Sequence, residues 1–166
     1  MPDEIFGKPG YLHVLLNHLP IYGLAIAALG LLIALVLRSR PAQVTALLLV
    51  LVTAISAWPV AATGKRSYKA VRGIVDDDGA DWLDEHMERA ERWVPVFYVL
   101  AGLASAGLVI PRRWPRSATP LAIATLLLAG GCFGLAGYIA YAGGKIRHPE
   151  FRPAPLQEQK DKHQPS

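Results

Sequence analysis

Cysteine is nearly absent. Cys132 is the only one in 166 residues, so the chain forms no internal disulfide and holds no CxxC pair for redox or zinc chemistry. Charge is scarce too, at 18% of residues against 52% hydrophobic. It avoids four stretches entirely: residues 12–37, 41–64, 93–111 and 119–144 contain no Asp, Glu, Lys or Arg. No nucleotide-binding loop and no nucleophile–base pair is visible, so the sequence supports a non-catalytic role. No basic stripe with interleaved aromatics occurs, which argues against a nucleic-acid partner. Repeated ExxH pairs of the di-iron carboxylate kind are missing. With no acid or base near the middle of any apolar stretch, transport ranks last among membrane functions. No internal repeat stands out.

The four uncharged stretches are what remains to be explained. A bilayer core about 30 Å thick is crossed by roughly 20 apolar residues in a helix, and a helix satisfies its own backbone in lipid. The sequence therefore predicts an all-α integral membrane four-helix bundle over residues 1–148. Its helices are expected at about 12–37, 42–63, 80–110 and 119–143, with a polar, partly helical loop between the second and third. Within that loop Gly64 reads as the end of helix 2 and Asp76-Asp77-Asp78-Gly79 as a turn. A helix should then start at Ala80, carry a Glu88–Arg92 pair, run into the third span and bend at Pro95. Residues 149–166 read as a flexible tail. The first stretch is too long for a signal-peptide core, and the flank Asp3, Glu4, Lys8 is not basic, so cleavage is not expected.

The connections set an orientation. The turns after helices 1 and 3 carry Arg38, Arg40, Arg112, Arg113 and Arg116 and no acid. The segment 65–92 holds six basic and eight acidic residues and shares a side with both termini. Purely basic short turns favour the cytoplasm, which places the termini outside it. The cluster Lys65, Arg66, Lys69 and Arg72 argues the other way.

The histidines are the candidate functional residues. His13 and His18 open helix 1, His86 precedes the third span and His148 follows the fourth, so all four belong to one end of the bundle. His163 lies in the tail. Taken singly, each has an ordinary reading as an interfacial or solvated side chain, although His18 lies within an apolar stretch, where ionisable groups are costly. Together they form a candidate metal or haem site. His13 and His18 are five residues apart, about 140° around a helix, which is poor for chelating one ion. They suit different centres, or one ligand and one supporting residue. Four histidines could serve one or two bis-histidine haem b groups, and neutral imidazole also suits copper or zinc. Pro20 frees the Leu16 carbonyl and should kink helix 1 beside His18, with Asn17 as a polar neighbour. Trp58-Pro59 should act similarly in helix 2. Helix 4 is rich in glycine. Gly130 and Gly134 read as a close-packing pair, within the bundle or in a homo-oligomer. Gly143 and Gly144 could let a flat cofactor approach the backbone beside His148, bordered by Tyr138 and Tyr141.

The stretch Leu12-His13-Val14-Leu15-Leu16-Asn17-His18-Leu19-Pro20-Ile21 resembles the opening of a family of small bacterial four-helix membrane proteins, catalogued as domain of unknown function 2231. The family pattern is Leu-His-Pro, three residues, then His-Phe-Pro-Ile. His13, His18 and Pro20 match it, while Val14 and Leu19 replace the usual Pro and Phe. Ala61-Ala62-Thr63-Gly64, His86 and the Gly143-Gly144 to His148 segment match later features, and the acidic run Asp76 to Asp78 does not. The resemblance implies an inner-membrane bundle with a periplasmic C-terminus. It further implies a b-type cytochrome-like subunit for electron transfer with c-type cytochrome partners, and the first functional expectation is a haem-binding subunit that passes electrons between a quinone pool and a periplasmic redox partner. The competing expectation is a non-redox anchor or assembly subunit, or a copper- or zinc-binding protein using the same histidines.

Overall fold

A computed structural model describes residues 9–153. Among them all regular structure is helical, in four long helices. We label these α1 (Gly10–Val36), α2 (Arg40–Arg72), α3 (Asp77–Arg112) and α4 (Pro115–Arg147). Each is long and apolar enough to cross a bilayer. Successive helices run antiparallel around a ring. Each packs on its two ring neighbours, so α1 stands diagonally across from α3, and α2 from α4.

The helix limits differ from the sequence expectation in ways that have local causes. Helix α2 does not end at Gly64 but continues to Arg72. Helix α3 starts at Asp77, three residues early, because Asp76 is its N-cap: Oδ1 accepts from the Gly79 N–H at 2.9 Å. Asp77 and Asp78 then fall in the first turn, where the helix dipole favours them. The expected polar loop is thus mostly helix, and only residues 73–76 connect α2 to α3. The charged pair that forms along α3 is Glu85–Arg89, at 2.6 Å, rather than Glu88–Arg92. Helix α3 runs without interruption through Pro95. In α1, by contrast, Pro20 lacks an N–H and the chain widens to a π turn over Leu19–Gly23. In α2 the helix is interrupted at Ser56, three residues before Pro59.

The core is built from small and medium residues, with Leu24, Ala27, Val50, Ala54, Phe97, Leu100, Ala104, Ala129 and Cys132 buried together. Leu31, Ala46, Leu47 and Ala122 form a second cluster nearer the basic turns. These positions reveal a duplication that residue identities hide. Leu24, Ala27, Leu31 and Ala34 are the buried residues of the main part of α1, and Phe97, Leu100, Ala104 and Gly107 are buried along α3 at the same successive steps of three, four and three. In the same way Gln43, Ala46, Val50, Thr53 and Ala57 of α2 correspond to Ala122, Thr125, Ala129, Cys132 and Ala136 of α4. The α1–α2 half and the α3–α4 half therefore repeat one another around the bundle axis.

Residues 149–153, expected to be loose, are folded back. Arg152 donates to the Lys145 carbonyl (2.9 Å) and the Ile146 carbonyl (3.1 Å), closing the end of α4. It also grips both oxygens of Asp76, at 2.6 and 2.9 Å. The remainder of the expected tail, from residue 154, lies outside the described residues. The Arg152 guanidinium holds the Asp76 carboxyl below its ordinary value of 3.8. This clamp therefore contributes in full above that value and is lost as pH falls through the lower value of the folded protein. Asp76→Asn is expected to lower thermal stability at neutral pH. It should also remove the part of the wild-type acid destabilisation that begins below pH 3.8. Unfolding curves of both proteins between pH 7 and pH 3 check this; parallel curves would mean that the clamp carries nothing.

Candidate functional site

At the end of the bundle away from the basic turns, two of the four candidate histidines meet. His13 of α1 and His86 of α3 face each other across the diagonal, with ring centroids 6.1 Å apart and planes at 85°. Each is tied to the next helix in sequence. His13 Nδ1 donates to the Val60 carbonyl of α2 at 2.9 Å, and His86 Nδ1 donates to the Ile139 carbonyl of α4 at 3.0 Å. A carbonyl can only accept, so Nδ1 carries the proton on both rings, and in the neutral imidazole Nε2 keeps its lone pair. This is how ligating imidazoles are commonly held: one nitrogen fixed by a backbone carbonyl, the other bare.

The duplication extends to the packing of each ring. A Cβ placed on Gly64 would lie 3.1 Å from both Nδ1 and Cε1 of His13, and one on Gly143 would lie 3.1 Å from the same two atoms of His86. Gly64 follows Val60 by one turn, and Gly143 follows Ile139 by one turn. Each glycine thus makes room for the imidazole that its own helix binds, so Gly64 belongs inside a helix. Gly143 serves His86 and not His148. A Cβ placed on Gly144 would lie 3.9 Å from the Phe151 ring.

Open space surrounds the pair. A central cavity of about 80 Å³ is lined by both rings and by Asn17, Pro20, Ala57 and Ala136. Two clefts share both histidines with it as lining. One, of about 410 Å³, lies between α2 and α3 and includes Ala61, Gly64, Lys65, Met87 and Glu91. The other, of about 420 Å³, reaches the α1–α4 side past Gly10, Asn17, Ala140, Gly143 and Arg147. Two matching rows of small residues line these spaces, Ala57, Ala61 and Gly64 on α2 and Ala136, Ala140 and Gly143 on α4. Their spacing of four and then three places each row on one helical face.

His18 and His148 do not join the pair. His18 is exposed, its Nδ1 bonded within α1 to the carbonyls of Val14 (2.9 Å) and Leu15 (3.3 Å), with the ring stacked on Tyr22. The five-residue step from His13 turns it away from the axis. Asn17, four residues after His13, takes the inward place. His148 borders the α1–α4 cleft but is exposed, 2.9 Å from Glu150 and stacked on Phe151.

Nearby, Arg89 locks α3 to α4. It donates to the Tyr138 carbonyl at 2.9 Å, lies 3.9 Å over the Tyr138 ring and pairs with Glu85. Lys145 is buried with Nζ 3.9 Å from the Trp82 ring and 4.1 Å from that of Tyr141. Neither Arg89 nor Lys145 carries a motif that the sequence alone would flag. Gly130 and Gly134 have nothing within 4 Å of where a Cβ would stand and face outward, not into the bundle.

No family model, no curated protein and no solved structure matches this chain. The site has to be read from its own geometry. Nitrogen-15 NMR of histidine-labelled protein should report Nδ1–H tautomers with bare Nε2 at His13 and His86. Gly143→Ala should shift the His86 signals far more than those of His13. An Nε2–H tautomer at either residue would contradict the arrangement.

Proposed function

We propose that the chain is a multi-pass protein of the bacterial inner membrane that binds one haem b and serves as a b-type cytochrome-like electron-transfer subunit. The observation that carries this reading is the His13–His86 pair. Two imidazoles from different helices face one another with their Nδ1 atoms fixed and their Nε2 atoms bare. Bis-histidine ligation of a haem asks for that donor set, one ring on each side of the macrocycle.

The residues present fit such a group. His13 and His86 would hold the iron through Nε2. The Val60 and Ile139 carbonyls would orient the rings and strengthen them as ligands. The rows Ala57-Ala61-Gly64 and Ala136-Ala140-Gly143 would keep side-chain bulk away from the space beside the two rings. Haem, when bound, supplies one-electron chemistry whose potential follows ligand identity, hydrogen bonding and burial. A single haem accounts for the central histidines, since His18 and His148 point elsewhere. The resemblance to the domain of unknown function 2231 family, carried by His13, His18 and Pro20, agrees with this reading. In this reading the termini are periplasmic and the partner is quinone-linked or a c-type cytochrome. A copper or zinc centre on the same histidines has less behind it, because among the described residues no group of three or more His, Cys, Asp or Glu is placed to hold a metal ion.

One observation favours a second reading. The outward, uncovered faces of Gly130 and Gly134 suit a non-redox anchor that packs against another membrane subunit or a second copy.

The test is a dithionite-reduced minus oxidised spectrum of protein purified in mild detergent from cells supplied with haem precursor. Sharp α and Soret bands are expected. His13→Ala and His86→Ala should each abolish them, while His18→Ala and His148→Ala should retain them. A featureless spectrum from folded protein would sink the haem reading and leave the anchor.

A further inference from the structure

At the opposite end of the bundle a groove of about 270 Å³ runs between α2 and α3, lined by Arg40, Val44, Leu48, Leu108, Pro111 and Arg112. It has a charged end and an apolar length. Val44 and Leu48 follow Arg40 by one and two turns of α2, and Leu108 precedes Arg112 by one turn of α3. Arg40 is half-buried and held in place. Its Nη2 donates to the Gly107 carbonyl at 3.0 Å and its Nη1 to Gln43 at 3.3 Å. Those bonds use two of the five guanidinium donors. Arg112 stands exposed across the groove. The two turns at this end contain Arg38, Arg40, Arg112, Arg113 and Arg116 and no acid to compete for them.

We infer that this groove binds an anionic phospholipid, its phosphate between Arg40 and Arg112 and an acyl chain along Val44, Leu48 and Leu108. Guanidinium is suited to phosphate through its planar fork of donors. Basic pockets between helices at a membrane face are a recurrent headgroup site. The apolar length selects a lipid over a free anion, since a phosphate alone would leave that wall uncovered. The site is separate from the histidines and does not depend on haem.

Native mass spectrometry of the full chain in detergent, with dioleoylphosphatidylglycerol and dioleoylphosphatidylcholine in competition, tests this. The anionic lipid should be retained in preference. Arg112→Gln should weaken its retention about fivefold, the ratio for one basic side chain at such a surface. Arg116→Gln, which removes an arginine outside the groove, should leave it unchanged. Arg40→Gln should weaken retention further but also loses the Gly107 bond, so the exposed Arg112 decides. Equal retention of both lipids, an unchanged Arg112→Gln protein, or displacement of the lipid by millimolar inorganic phosphate would each overturn the proposal.

Discussion

The bond from each central imidazole to a backbone carbonyl of the following helix fixes most of what surrounds it. His13 joins α1 to Val60 of α2, and His86 joins α3 to Ile139 of α4. Net, such a bond contributes only about 1 kcal/mol, but a buried donor left without its acceptor costs about 1–3 kcal/mol. The geometry is thus held more firmly than the bond strength suggests. Each bond needs the ring pressed against the helix that accepts it, which is why residue 64 and residue 143 are glycine. Each bond also sets the tautomer and so decides which nitrogen is left for chemistry. Without these two contacts the rings would have no defined orientation across the axis.

Packing elsewhere is in keeping with that centre. The four helices are long and apolar enough to cross a bilayer, and in lipid the hydrophobic effect between helices would give little, leaving close contact of small residues to supply the attraction. The buried positions here are largely Ala, with Leu at a few places. Cutting one of the larger ones, such as Leu47→Ala, falls in the class that costs about 2–5 kcal/mol in a packed interior. The centre is the exception to tight packing, with open space kept beside two polar rings.

The four apolar helices were legible because charge is excluded from them so completely. Their ends were less so. Gly64 looks like a helix terminator until His13 is seen to occupy the place of its Cβ. The aspartates at 76–78 look like a turn until Asp76 is seen as a cap. For the site, the sequence grouped four histidines at one end. The 140° step from His13 to His18 already said that both could not face the same centre. It did not say which would turn inward, because that depends on the carbonyl of Val60, a backbone atom no residue type announces. The duplication was hidden for a related reason. Burial repeats from half to half, but Leu24 answers to Phe97, Gln43 to Ala122 and Thr53 to Cys132, so size and polarity are redistributed while position is kept.

That redistribution gives a nearly symmetric frame an unsymmetric middle. One turn after His13 stands Asn17, with an amide facing the cavity; one turn after His86 stands Ala90, with only a methyl. The α2–α3 cleft is bordered by Lys65 and Glu91, which pair at 2.9 Å, whereas the α1–α4 cleft is bordered by Arg147 and His148. Two copies of one helical hairpin would have made both approaches to the centre equivalent. In this chain they differ in polarity, in hydrogen-bonding capacity and in charge, so the centre has a front and a back.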